Sequence, residues 1–178
     1  MGMPSRVNSA FEIAVFFMDK ASSENEYIQP QKLHGLLFLS QAYFSVAFQG
    51  RKLMPAVFVA DERGPLEPNL YVAFSSGRTD IDLNTSLPED VLNFLNLIWK
   101  RFGKMKTERL ISKSKENSAY KKARKRGQRA EILFSEMKIA FNSPSDITTS
   151  VGSVPENAYQ PQSGKTVRIK KWMPGQKS

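Results

Sequence analysis

"IQPQKLHGLLFLSQAYFSVAFQG", residues 28–50, decides the fold. Pro30 suits the first turn of a helix, where its missing N–H costs nothing, and Gly50 suits the exit. Between them Leu33, Leu36, Leu37, Tyr43, Phe44 and Phe48 fall at helical spacing, while Phe38, Leu39, Val46 and Ala47 fill the other faces. A helix that is apolar all round is covered on several sides. The stretch therefore predicts a central, buried helix. His34, Ser40, Gln41 and Ser45 interrupt it, and its apolar run falls short of the ~20 residues that cross a bilayer.

Outward from this helix, residues 10–18 ("AFEIAVFFM") read as a short buried helix, and residues 19–27 as a polar loop. Glu12 lies within that apolar run, Asp19 ends it and no small-residue cleavage site follows, so neither a signal peptide nor a membrane span is expected. On the other side, "AVFVA" (56–60) is a short β-like run that ends at the corner "DERGPLEP" (61–68). Gly64 admits a positive φ, Pro65 fixes the next φ, and Pro68 can start a short helix carrying Tyr71.

Residues 86–102 are the best-punctuated helix. Ser86 is placed to cap it, Glu89 to reach back, Pro88 lies in the first turn and Gly103 just past the end. Val91, Leu92, Leu95, Ile98, Trp99 and Phe102 form its apolar stripe. Further helices are expected over residues 107–113, 118–126 and 129–141.

The expected fold is mainly α, a compact helical domain around a central buried helix with a small β element. That domain covers residues 1–141. From Asn142 onward Ser, Thr, Pro, Gly and Asn dominate, so residues 142–178 are expected as an irregular, flexible, basic tail. Within it Val167 and Ile169 alternate with Arg168 and Lys170, a pattern that can add a strand to a partner's sheet edge with Trp172 as an anchor.

Charge and chemistry narrow the function. The chain carries a net charge of +9. Twelve Lys or Arg against two Glu fall in residues 101–129, and the remainder is close to neutral. The densest part holds Lys121, Lys122, Arg124, Lys125, Arg126 and Arg129. Such a patch suits phosphate or an acidic protein surface, and is equally the pattern of a solvated helical face. With no cysteine and one histidine, disulfides, thiolate chemistry and imidazole metal clusters are excluded. His34 reads as a packed, hydrogen-bonded ring. The carboxylate pairs Asp61–Glu62, Glu89–Asp90 and Asp80–Asp82 have local explanations in turns and helix starts. No nucleotide-binding glycine motif or nucleophile elbow is present. Catalysis, a metal and a cofactor are therefore not expected.

The helix and corner together resemble the Panacea domain, also called the SocA-like antitoxin domain. The matching positions are Pro30, Lys32, Leu33, Leu36, Leu37, Gln41, Gly50, Leu53, Ala60, Gly64, Pro65, Pro68 and Tyr71. A weaker likeness runs on through "LNLIWKRFG", "SAYKKAR" and "AEILFSEMKIAF", so residues 9–141 are covered. Three positions depart from the family's pattern. Gly35 replaces a polar residue, Asp61 an aromatic, and Ala119–Tyr120 a Pro–Trp pair. The resemblance implies a non-catalytic, bacterial, cytoplasmic protein. Members commonly neutralise a toxin encoded beside them in bacterial or prophage toxin–antitoxin pairs, or act as adaptors to a protease or chaperone.

On this reading Lys32, Asp61, Glu62, Arg63, Gly64, Pro65, Pro68, Tyr71 and Trp172 are candidate partner-binding residues. Two other readings remain, nucleic-acid association through residues 101–129 and a secretion-linked role for the tail.

Overall fold

The computed structural model describes residues 3–75, 77 and 86–142, together with the backbone of residues 158–159 and 167–168. Helix α1 (Ala10–Ser23) opens on Ser9, whose hydroxyl accepts from the Phe11 amide at 3.1 Å. It continues through residues 19–23, where a polar loop was expected. Met18 and Ala21 still face the core there while Asp19 is exposed, so packing of one face extends the helix. Helix α2 (Pro30–Ala47) has Pro30 in its first turn, as expected, and residues 33–45 are all buried. It ends on Phe48, and Gln49 and Gly50 then turn the chain away with φ of 53° and 82°.

Strands β1 (Phe58–Asp61) and β2 (Gly64–Leu66) form the corner as an antiparallel hairpin, followed by α3 (Pro68–Phe74). A third strand, β3 (Glu131–Ile132), pairs on the far side of β1 and places Phe58 opposite Ile132, giving the order β2-β1-β3. The expected helix over residues 129–141 is thereby split. Ala60 donates its amide to the Ala130 carbonyl at 2.9 Å, and α7 begins only at Phe134 (Phe134–Ala140). Local helix propensity yields here to sheet pairing.

Helix α4 (Glu89–Ile98) starts later than expected, with Pro88 at its N-cap and no side-chain cap, so the Ser86–Glu89 capping box does not form. Asp90 instead accepts two hydrogen bonds of 2.9 Å from Arg6. The helix continues into one π-helical turn (Trp99–Gly103). Gly103 thus lies inside the helical run and is no left-handed stop. Its role is close approach, since a Cβ there would lie 2.5 Å from the Trp99 indole. Gly103→Ala is expected to cost about 2 kcal/mol through overpacking, measured as a lowered midpoint in urea. An unchanged midpoint would show that the indole moves aside freely.

Helices α5 (Thr107–Lys115) and α6 (Ser118–Arg126) complete the domain. Helix α2 is the hub, with α1, α4, α5, α7 and β2 packed around it. None of the described helices is long and apolar enough to cross a membrane. The expected tail and its Trp172 lie outside the described residues, as do Asp80 and Asp82. Only two dipeptides of the tail, β4 (Ala158–Tyr159) and β5 (Val167–Arg168), are described, and they pair antiparallel with each other.

Candidate functional site

The corner is assembled from its own turn residues first. Glu62 and Arg63 reverse the chain between Asp61 and Gly64, and Asp61 Oδ1 accepts from the Arg63 amide at 3.1 Å. Gly64 has φ 131°, a conformation that side chains resist. Glu67 is buried and caps α3. Its Oε2 accepts from the Leu70 amide at 2.7 Å and its Oε1 from Asn69 Nδ2 at 3.3 Å. The Glu67 amide in turn donates to His34 Nδ1 at 3.1 Å. His34 is therefore packed and hydrogen-bonded, and it ties the central helix to the corner. Burial pushes its pKa down to about 4, so the ring is neutral at physiological pH.

Four side chains from α5, α6 and the segment after them hold the hairpin from outside. Lys115 Nζ donates to the Glu62 carbonyl at 3.0 Å, the Tyr120 hydroxyl to the Asp61 carbonyl, and Arg124 to the Ala60 carbonyl at 3.3 Å. Arg129 Nε meets Asp61 Oδ2 at 2.8 Å, and its guanidinium lies 5.6 Å from the Tyr71 ring centroid. Arg129 does this from a left-handed backbone, φ 55°, which is strained for a non-glycine residue. Burial alone would raise the Asp61 carboxyl. The hydrogen bonds from Arg129 and the Arg63 amide, and the charges of both residues, outweigh it and hold the group below its ordinary value. Burial raises the Tyr120 phenol.

The basic region is thus divided. Arg124 and Arg129 brace the corner, and Arg126 is engaged by both oxygens of Glu136 at 2.9 Å and by the Glu131 carbonyl at 2.8 Å. Lys121, Lys122 and Lys125 are exposed and make no hydrogen bond or ion pair among the described residues.

Between these parts lies a cleft of about 600 Å³. It is lined by the corner (residues 61–66) and Tyr71, by Gln29, Gln31 and His34 at the start of α2, and by Ser114, Gln128 and Arg129. Of the expected partner-binding residues it gathers Asp61, Glu62, Arg63, Gly64, Pro65 and Tyr71. Pro68 starts α3 and orients Tyr71 without lining the cleft. Lys32 points elsewhere, with its ammonium donating to the Gly103 carbonyl at 2.6 Å and its pKa lowered by burial. It joins α2 to the π-helical turn.

Gln29, Gln31, Ser114 and Gln128 were not singled out in the sequence. Helical phase offers a signal for part of this set, because Gln31 and His34 are three residues apart and share a face of α2. Ser114 and Gln128 carry no comparable local signal. No family model matches the chain, and no curated protein or solved structure matches it.

Proposed function

We propose that the protein is a non-enzymatic binding domain that captures a cognate protein at the corner cleft, acting as an antitoxin-like neutraliser or adaptor in the bacterial cytoplasm. The observation that carries this reading is the bracing of the corner. Its backbone is held by His34, Lys115, Tyr120 and Arg124 and its Asp61 carboxylate by Arg129, while Glu62, Arg63 and Tyr71 remain exposed at its surface. A surface ordered before binding loses little conformational entropy when a partner docks. The resemblance to antitoxins supplies the kind of partner, a toxin encoded beside this protein.

The three positions that depart from the family pattern are buried, so they alter how the corner and α5 are supported and add no exposed contact. Tyr120 and Asp61 contact each other beside the cleft, and Gly35 faces Leu110 and Ser114 on α5.

The test is retention of proteins from cells of the source organism on the tagged chain, at low and at ~0.5 M salt, a concentration that screens phosphate contacts. A stoichiometric protein that survives high salt, and is toxic when expressed alone, is the expected result. The double variant Arg63→Glu/Tyr71→Ala is expected to weaken its retention about thirtyfold, as for an interface hot spot of ~2 kcal/mol, with the urea midpoint little changed. Retention unaffected by the double variant would exclude the cleft.

The exposed trio Lys121, Lys122 and Lys125 favours a second reading, contact with phosphate. Changing these three to Gln together removes that contact without touching the braces of the corner. If they bind nucleic acid, the salt dependence of retention falls by about three counterions.

A further inference from the structure

A second hollow, of about 240 Å³, lies where the π-helical turn meets α5, and it shares no lining residue with the corner cleft. Arg101, Met105, Arg109, Ser112, Lys113 and Glu116 line it. Arg109, Ser112, Lys113 and Glu116 fall three or four positions apart along α5 and its C-cap, so they share one face of that helix. Arg101 comes from the π-helical turn, which is anchored at both ends. Trp99 Nε1 donates to Glu24 at 3.0 Å, and the Gly103 carbonyl accepts from Lys32 at 2.6 Å. Single π-helical turns recur at functional sites.

The cations of this hollow are not consumed by the fold. Arg109 and Lys113 make no side-chain hydrogen bond or ion pair among the described residues, whereas Lys104, beside the same turn, is engaged by Glu24 and Glu26. Even before Arg101 is counted, two cations line the hollow against one carboxylate, Glu116, which subtracts from the positive charge without cancelling it. A neighbouring hollow shares Ser112 and Glu116 and adds Glu108, Ile111, Lys115 and Lys121. Across the two, five cations stand against two carboxylates. Lys121 belongs to the exposed trio of α6, so the positive surface runs on from the π-helical turn over α5 to α6.

The shape of this surface indicates the anion. Positive charge spread over adjoining hollows suits a repeated anion better than a single small one. Neither hollow has an aromatic residue in its lining, so the bases of a single strand find nothing to stack on. A duplex keeps its bases stacked and presents phosphates outward at high charge density. The planar fork of Arg109 matches two oxygens of one phosphate, and the Ser112 hydroxyl and Lys113 ammonium supply further donors on the same face.

We propose that the hollow of Arg109 and Lys113 seats a backbone phosphate of a nucleic acid duplex, continuing the contact made by Lys121, Lys122 and Lys125. The proposal rests on the phosphate reading of that trio, to which it adds a seat on another helix, and it is independent of the corner cleft. Contacts of this kind hold the backbone and carry no sequence preference.

The test is fluorescence anisotropy of a short, labelled DNA duplex of mixed sequence, titrated with the full chain between ~50 and ~200 mM salt. The wild type is expected to bind less tightly as salt rises. Arg109→Gln/Lys113→Gln is expected to weaken binding about tenfold and to reduce the salt slope by about two counterions, with the urea midpoint unchanged. Arg109→Lys should keep the slope, because the charge remains, and lose affinity with the fork. An unchanged slope in the double variant, while Lys121→Gln/Lys122→Gln/Lys125→Gln still reduces it, would sink the seat and spare the lysine contact. The opposite pattern would sink the lysine contact and support the seat alone. Tighter binding of a single-stranded oligothymidylate would overturn the duplex. Displacement of the duplex by a phosphoserine peptide at equal phosphate concentration would transfer the seat to a phosphoprotein and overturn the nucleic acid. Absence of salt-dependent binding by the wild type would overturn both the seat and the lysine contact.

Discussion

Gln41→Leu is expected to lower the stability of the domain by about 3 kcal/mol, read as a lower urea midpoint at unchanged slope. The Gln41 carboxamide sits in the middle of α2, 1% exposed, and makes three hydrogen bonds to the backbone that follows the helix. Its Oε1 accepts from the Leu53 and Met54 amides at 2.9 and 3.1 Å, and its Nε2 donates to the Met54 carbonyl at 2.9 Å. Leucine nearly preserves the volume, so little cavity is created. What it removes is the only side chain described as meeting those amides, in a region where Leu53 and Met54 are fully buried. Each buried backbone group left without a partner costs about 1–3 kcal/mol, and local relaxation recovers part of the sum.

The segment that Gln41 anchors is also paired from its other side. Arg6 and Val7 donate their amides to the Lys52 and Leu53 carbonyls at 2.9 Å. Losing Gln41 is therefore expected to loosen the N-terminal residues too, seen as faster amide exchange at Arg6 and Val7. A change below ~1 kcal/mol would mean that water replaces the carboxamide without cost.

The same contrast between local and distant causes decides what was legible in the sequence. Helix α2 and the corner were legible because their causes are local. Pro30 starts the helix, Gly64 takes its positive φ, and Pro68 opens α3, each through the conformational limits of one residue. Strand β3 was not legible, because residues 130–132 have no strand signal of their own and are recruited by the edge of β1. Gly103 was visible as punctuation but not as the neighbour of an indole four residues earlier, since that contact depends on the π-helical turn.

The cleft shows the same division. Its corner is contiguous in sequence, but His34, Ser114 and Arg129 reach it from segments separated by 80 and 15 residues (34 to 114, 114 to 129). Composition identified the basic region as one patch. It could not separate Arg124, Arg126 and Arg129, which spend their guanidinium groups on other groups of the chain, from Lys121, Lys122 and Lys125, which do not.

His34 is expected to make the domain acid-sensitive through a single titration. The ordinary pKa of 6.5 describes the unfolded chain, whereas burial holds the folded ring down to about 4. Between these values the unfolded state binds a proton that the folded state refuses, so stability rises with pH. The contribution is fully present above 6.5, is lost progressively as pH falls toward 4, and levels off below the folded pKa. A separation of about 2.5 units corresponds to ~3 kcal/mol. Protonating Nδ1 would also remove the acceptor for the Glu67 amide, so the α3 end of the corner should open first.

The carboxylates of the native fold lose stability over an overlapping range, Asp61 among them. Its depressed pKa gives a contribution present above its unfolded value and lost as pH falls through the folded one. The comparison that isolates His34 is therefore with His34→Asn, whose Oδ1 can accept the Glu67 amide and does not titrate. Urea midpoints measured from pH 7.5 to 4 should show the wild type losing ~3 kcal/mol more than the variant. Parallel curves would mean that the ring is hydrated in the folded state and that Glu67 is held by something other than an unprotonated Nδ1.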